Sequence, residues 1–251
     1  MRSIILAAGQ GTRLMPLTKD KPKCMVKYNK KPIISYIIEA MKENGISDIS
    51  IVTGYKKEVL EEYLKEEKIT FFSNDIFDKT NMVYSLFKAK SYMTEDVIIS
   101  YSDIIYNSDV LKKIINSNSD FSVVIDKEWE KLWSLRMDNI LSDAETLKIE
   151  SGKIKEIGKK TDNLDDIQAQ YIGLIKISAK AIPKVLKFYE SLETNILYDG
   201  QSVYNMYMTT FIQLIIDNLM EVNPIEIYGH WLEIDTIEDL NNYEEKEYNV
   251  T

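Results

Sequence analysis

Apolar positions along the chain follow two alternating rhythms. Ile4-Ile5-Leu6-Ala7 is an unbroken apolar run, as expected of a strand buried on both faces. Ile33, Ile34, Ile37, Ile38 and Met41 recur at helical spacing, in a segment opened by Lys31-Pro32 and closed by Asn44-Gly45. The pattern then predicts a strand over 49–52 ending in Thr53-Gly54-Tyr55, a helix over 58–66 and a strand over 69–72. A helix over 82–90, a strand over 96–100 and a helix capped by Asp109 and running through Ile115 follow. Strands alternating with helices argue for parallel βαβ units. The predicted fold class is therefore α/β, with a doubly wound, mostly parallel central sheet.

From Phe121 the rhythm changes. A strand is predicted over 121–125, and a hairpin over 146–150 and 153–157 turns at Ser151-Gly152. A strand over 170–177, a helix from Ser178 through Tyr189 and a longer helix over 206–220 come next. Short strands are predicted over 225–227 and 231–234, and Thr236 caps a last helix with Asp239 three residues on. Residues 244–251 are polar and expected to fray. No repeat, low-complexity linker or clear boundary interrupts the chain, so 1–251 reads as a single domain.

Composition narrows the function classes. With 45% hydrophobic residues among 251, the chain can bury a sizeable core. A net charge of -9 argues against nucleic acid as a partner. The single cysteine, Cys24, excludes an internal disulfide and a cysteine-rich zinc site. No apolar run is long enough for a signal peptide or a membrane span, so a cytoplasmic soluble protein is expected, with no membrane partner.

The candidate chemistry begins where the first strand ends. Gly9-Gln10-Gly11-Thr12-Arg13 is a small-residue loop, and Arg13, Lys19, Lys21 and Lys23 follow it. Glycine lets backbone N–H groups approach phosphate oxygens closely, and the basic side chains supply countercharge. The loop is not a P-loop, because no Gly-Lys-Ser/Thr follows the second glycine. Nor is it a dinucleotide fingerprint, because Leu14 stands where the third glycine would fall. In an open α/β sheet, ligands sit at the carboxyl ends of parallel strands, so the phosphate loop, Gly54, the 74–85 segment and Tyr101-Ser102-Asp103 are expected to converge.

The string Ala7, Ala8, Gly9, Gly11, Arg13, Leu14, Pro16, Leu17, Thr18, then Pro22, Lys23 and Met25, resembles the signature of the nucleotidylyltransferases that make sugar nucleotides and CDP-alcohols. The resemblance covers most of the chain. It implies a Rossmann-like nucleotidyltransferase fold with a small β-rich acceptor-binding insertion. The nucleotide half would lie at about 1–120, the acceptor half at about 121–235 and a C-terminal helix at 236–247. It also implies transfer of a nucleotidyl group from a nucleoside triphosphate to a phosphomonoester, with release of pyrophosphate. Lys23 and Arg13 are the implied catalytic residues. Leu6, Ala7, Ala8, Gly9, Gly11, Thr12, Gly54, Asn81, Ser85, Ser102 and Asp103 join them around the nucleotide. Asp103 and Asp235 are the implied magnesium ligands; as isolated residues each would be read as a turn former or cap.

The segment Asn74-Asp75 through Asn81, Tyr84-Ser85-Leu86 resembles the choline-phosphate cytidylyltransferase branch rather than the hexose-1-phosphate enzymes. That implies CTP and a small phosphorylated acceptor, phosphocholine or phosphorylated L-glutamine, and a CDP-activated product for capsular polysaccharide modification. Lys159, with Lys160 close behind it, would hold the acceptor phosphate ahead of the Gly173 strand, and Asp126, Glu128, Trp129 and Trp133 would line the head-group pocket. The alternatives are a hexose-1-phosphate enzyme using UTP or dTTP, a nucleotide-binding regulator without turnover, and a plain Rossmann redox protein. The oligomeric state is not readable from the residues.

Overall fold

The computed structural model of the chain describes residues 1–246, 248 and 250. Its elements, in order, are β1 (Arg2–Ala7), β2 (Lys27–Tyr28), β3 (Lys31–Pro32), α1 (Ile33–Glu43), β4 (Asp48–Thr53), α2 (Lys57–Tyr63), β5 (Ile69–Ser73) and α3 (Met82–Lys88). There follow β6 (Val97–Tyr101), β7 (Ile104–Tyr106), α4 (Ser108–Ile115), β8 (Phe121–Asp126), α5 (Trp129–Arg136), β9 (Glu145–Glu150) and β10 (Lys153–Lys160). The chain continues with β11 (Gln170–Ile177), α6 (Ile182–Glu190), α7 (Met208–Asn218), β12 (Asn223–Ile227), β13 (Trp231–Glu233) and α8 (Ile237–Glu245).

Seven strands form the central sheet in the order β12-β8-β11-β6-β1-β4-β5. All pairs are parallel except those of β11, which runs antiparallel to both β6 and β8. This is the doubly wound, mostly parallel sheet expected. The unbroken apolar run of β1 has the predicted cause: alternate side chains enter opposite layers. Ile5 and Ala7 join one apolar cluster, with α1, α4, α5 and α8, while Ile4 and Leu6 join the other, with α3, α6 and α7. Burying each of these isoleucines contributes roughly 1.5–3 kcal/mol.

Three small antiparallel pairs surround the sheet: β2-β3, β7-β13 and the β9-β10 hairpin. The last is the predicted hairpin, extended to Lys160. The β7-β13 pairing matters most for function. It sets Glu233 opposite Ile104 and brings the backbone N–H of Ile234 to the carbonyl of Asp103 at 2.9 Å.

Several boundaries differ from the predicted ones. Asn107, not Asp109, caps α4, its Oδ1 accepting from the Val110 N–H at 3.0 Å. The helix expected from Ser178 begins at Ile182. Ser178 instead forms a turn, donating to Asp120 Oδ1 at 2.9 Å and accepting from the Ala181 N–H. The helix over 206–220 is shorter, because Tyr207 is still extended. Helix α5 was unforeseen, although Trp129, Leu132, Trp133 and Arg136 are its buried residues at helical spacing. The Thr236 cap is a full capping box with Asp239. The last predicted helix stops at Glu245, and residue 247 lies outside the described residues, as do 249 and 251 from the segment expected to fray. Val250 is buried against the core instead, and the Tyr28 hydroxyl donates to the carbonyl of Tyr248.

Candidate functional site

The loop after β1 is held from below. The buried Thr18 hydroxyl donates to the Gly11 carbonyl at 2.8 Å, and the Tyr55 N–H donates to the Ala8 carbonyl at 3.1 Å. The N–H groups of Gly9, Gln10 and Gly11 have no backbone acceptor among the described residues, which leaves them available to an anion. Gly11 has φ 66°, and a Cβ there would meet the Lys23 Cβ at 2.8 Å. The loop therefore needs glycine both for its backbone turn and for passage of the lysine stem.

Lys23 crosses beneath the loop to the tips of β6 and β13. Its Nζ donates to Asp103 Oδ2 at 2.6 Å and to Asp235 Oδ1 at 2.5 Å, residues 80 and 212 positions away in the chain. Arg13 forms an ion pair with the same Asp235. Burial works against the Lys23 charge, but Asp103, Asp235 and Glu233 outweigh it, so its pKa is raised and the ammonium stays charged. Burial likewise works against the Asp235 carboxylate, and Lys23 and Arg13 nevertheless hold it below the usual range. The remaining oxygen of Asp103, Oδ1, is buried without a partner. Two carboxylates that share one cation, with one oxygen orphaned, fit the donor set of a divalent metal that completes its shell with phosphate oxygens and water.

A buried arginine stands behind this pair. Arg136 bonds Glu233 Oε2 at 2.5 Å and Asp239 Oδ1 at 3.2 Å. Asp239 Oδ2 accepts from the N–H groups of Asp235 and Thr236 at 2.8 and 2.9 Å. Arg136 thus fixes the Asp235 backbone through Asp239. Burial pushes the Glu233 carboxyl above its ordinary range, against the pull of Arg136 and Lys23.

Two adjoining clefts meet here. The first holds about 550 Å³ of open space and is lined by Leu6, Ala8, Gly9, Lys23, Asn81, Ser85, Ser102 and Asp103, with Phe77, Thr80, Met82 and Tyr101. The second holds about 700 Å³ and shares Met82 and Tyr101 with the first. Its walls include Trp133, Glu145, Tyr171, Gly173, Thr209, Trp231 and Glu233. Gly173 has φ 88°, and a Cβ there would stand 2.5 Å from the Tyr101 ring, so this glycine makes room for the ring between the clefts.

The structure places the sequence-derived candidates unevenly. Leu6, Ala8, Gly9, Lys23, Asn81, Ser85, Ser102 and Asp103 gather in the first cleft, with Asp235 against Lys23. Ala7 is buried in the core instead, and Thr12 and Arg13 stand on the loop outside the cleft wall, Arg13 being 63% exposed. Gly54 lies under the loop. A Cβ there would meet the Ala8 carbonyl oxygen at 2.6 Å, so its role is close approach. Asn81 caps α3, accepting from the Met82 N–H, and Ser85 accepts from the buried Asn74 Nδ2 at 3.0 Å. Both therefore present side chains already engaged within the wall.

On the acceptor side, Gly173 and Trp133 line the second cleft, whereas Asp126 and Trp129 do not. Asp126 is buried and accepts from Trp231 Nε1 at 2.8 Å and from the N–H groups of Gly229 and Glu128 at 2.9 Å, so it positions the Trp231 ring that does line the cleft. Trp129 is buried edge-on against Trp133, 5.8 Å between ring centres. Glu128 and Asp126 border a separate surface hollow with His230 and Tyr248. Lys159 bonds Glu156 at 2.6 Å and borders a different hollow, with Tyr198 and Asp199. Lys160 stands opposite Glu145 in the hairpin and is the nearer of the two to the second cleft. Sequence reasoning missed Glu145, Tyr171, Thr209, Glu233 and Arg136. Only Arg136 carried a signal, as a charged residue at the apolar spacing of α5.

Known proteins agree with this geometry. The profile of the Nucleotidyl transferase family matches residues 2–132. The chain is 50% identical to the CTP:phosphoglutamine cytidylyltransferase of Campylobacter jejuni over 98% of this chain and 100% of that one. It is 30% identical to the choline-phosphate cytidylyltransferase of Streptococcus pneumoniae, over 81% of this chain and 94% of that one. Among solved structures, the CTP:phosphocholine cytidylyltransferase of Streptococcus pneumoniae superposes with a TM-score of 0.73 at 26% identity, covering 98% of each chain.

Proposed function

The chain belongs to the nucleotidyl transferase family, and on that premise we propose that it transfers a cytidylyl group from CTP to a small phosphorylated acceptor and releases pyrophosphate. The observation that carries this reading is Lys23, held between Asp103 and Asp235 where the two clefts meet. Whole-length likeness to two cytidylyltransferases supports CTP as the donor and a phosphorylated small molecule as the acceptor. Phosphorylated L-glutamine and phosphocholine are the two acceptors to compare. We place the reaction in the cytoplasm, and the CDP-activated product in the modification of a surface polysaccharide; no helix among the described residues is long and apolar enough to cross a membrane.

In this mechanism CTP lies in the first cleft, with its β- and γ-phosphates against the N–H groups of Gly9, Gln10 and Gly11 and the exposed Arg13. The acceptor lies in the second cleft, its phosphate toward Lys160. An acceptor phosphate oxygen attacks the α-phosphorus in line. The new P–O bond forms as the α–β P–O bond breaks, and the electron pair leaves with pyrophosphate. Lys23 keeps its proton and neutralises charge at the α-phosphate as it develops. Asp103 and Asp235 would hold a divalent cation, for which we propose magnesium, supplying further charge neutralisation at the phosphates. Tyr101 separates base side from acceptor side, and the protein's work is largely positioning.

Pyrophosphate release, with CTP, UTP, dTTP, ATP and GTP crossed against phosphorylated L-glutamine, phosphocholine, phosphoethanolamine and glucose 1-phosphate, tests the reading. Turnover with CTP and an amino-bearing acceptor is expected. Turnover confined to glucose 1-phosphate with UTP or dTTP would overturn it.

A further inference from the structure

The second cleft is chemically lopsided in a way that selects its occupant. Three carboxylates line it: Asp143, Glu145 and Glu233. Glu233 is neutralised by Arg136. Neither Glu145 nor Asp143 has an ion-pair partner among the described residues. The neighbours of Glu145 are Thr209 and, across the hairpin, Lys160. Thr209 reaches it because Gly158, at φ 90°, has no Cβ; one there would lie 2.5 Å from the Thr209 Cβ. The same cleft is bordered by two donors without acceptors, the indole N–H of the buried Trp133 and the hydroxyl of Tyr171. Unsatisfied buried polar groups are rare, and three of the four among the described residues (Asp103 Oδ1 is the third) belong to residues that line the two clefts.

A cleft that offers two unpaired carboxylates and two unpaired donors calls for a ligand with a cation and a hydrogen-bond acceptor together. A trimethylammonium group has charge but no N–H to donate and brings no acceptor. A primary ammonium beside a carboxylate or amide, as in an amino acid, satisfies both sides. We propose that Glu145 is a specificity-determining residue that accepts hydrogen bonds from a primary ammonium on the acceptor, while Trp133 Nε1 and the Tyr171 hydroxyl donate to its carboxylate or amide oxygen. The enzyme is thereby selective for phosphorylated amino-acid-like acceptors over quaternary ammonium ones. This rests on the cytidylyl-transfer reading above.

The test compares wild-type enzyme with Glu145→Gln, which keeps shape and removes charge, and with Tyr171→Phe. KM and kcat are measured at about pH 8, where a carboxyl is ionised, with CTP and four acceptors: phosphorylated L-glutamine, its analogue lacking the amine, phosphoethanolamine and phosphocholine. CTP affinity is measured separately by calorimetry. Glu145→Gln is expected to raise KM for the two primary-amine acceptors by about tenfold or more, the weight of a hydrogen bond to a charged group. CTP affinity should stay put, and the rise in KM for the analogue without the amine should be markedly smaller. Tyr171→Phe is expected to raise KM for phosphorylated L-glutamine but not for phosphoethanolamine, which lacks a carboxylate and an amide. Wild-type enzyme needs no variant to be informative: it should prefer phosphorylated L-glutamine to its deaminated analogue and to phosphocholine. An unchanged KM in Glu145→Gln, or wild-type preference for phosphocholine, overturns the proposal while leaving cytidylyl transfer intact. Absence of turnover with CTP and every acceptor overturns the reading on which it rests.

Discussion

Lys23 sits where the charges of Asp103, Asp235 and Glu233 converge, and it is only 12% exposed. Replacing it with alanine removes the cation that serves both as countercharge at rest and as electrostatic support in the proposed transition state. Lys23→Ala is expected to lose on the order of 3 kcal/mol of transition-state stabilisation, roughly a hundredfold in kcat, in a pyrophosphate-release assay. It also leaves two facing carboxylates, so its Tm should fall in EDTA and recover with added magnesium; recovery would not occur if Asp103 and Asp235 are not a metal seat. Glu145 supplies a prediction about pH. Burial pushes its carboxyl up to about 7, partly offset by Lys160 and the Thr209 hydroxyl and reinforced by Asp143 and Asp199. Its ionised form then grows as pH rises through about 7, so KM for an ammonium-bearing acceptor should fall across that window. For stability the sign is opposite. The folded state holds this proton more tightly than the unfolded chain, so stability is full below the unfolded value and declines as pH rises to about 7. Glu145→Gln should therefore gain stability over wild type above that pH in urea unfolding, and match it in acid.

At the scale of elements, the site depends on α5 and α8 as much as on the sheet. Arg136 projects from the end of α5 to join Glu233 of β13 and Asp239 of α8. Arg136→Met would leave both acids without their cation; breaking one partner of a buried pair costs about 3–5 kcal/mol. Urea unfolding should report a loss of that size, and activity at temperatures where the variant is folded should fall as well, because Asp239 fixes the backbone of Asp235. The strand tips depend on glycines at close approaches. Gly173→Ala would force a Cβ to within 2.5 Å of the Tyr101 ring, at a φ of 88° that other residues seldom adopt. It should destabilise the fold by roughly 1–3 kcal/mol in denaturant titration and raise KM for both substrates, since Tyr101 borders both clefts.

Over the whole molecule, residues far apart in the chain meet because a seven-stranded sheet carries them to one edge. A ligand that neutralises that edge should therefore stabilise the fold globally. CTP with magnesium at about a hundred times its Kd is expected to add about 2.7 kcal/mol, read as a Tm increase larger than either component gives alone; equal shifts with CTP alone would remove the metal from nucleotide binding. Much of this architecture was legible in the residues. The apolar run of β1, the helical spacing in α1 and the strand–helix alternation predict the parallel sheet, because burial on two faces and on one face leave different periods. The loop from Gly9 to Lys23 was legible as a local string, since backbone approach to phosphate constrains neighbouring residues directly; Asp103 and Asp235, far along the chain, were singled out only by the family resemblance. What the acceptor side looks like was not. Glu145, Thr209, Tyr171 and Trp231 come from four elements, and no spacing in the chain relates them. Asp126 and Trp129 seemed suited to a cationic ligand by residue type, yet the fold uses the first to anchor Trp231 and the second to back Trp133. Nor does spacing along the chain show that Lys160, rather than Lys159, stands opposite Glu145; the hairpin register does. Sequence by itself determined the sheet and the phosphate loop, because those depend on period and on neighbours along the backbone. Tertiary structure alone decided which carboxylates are matched by a cation and which face an open cleft, because charge pairing depends on distance in space.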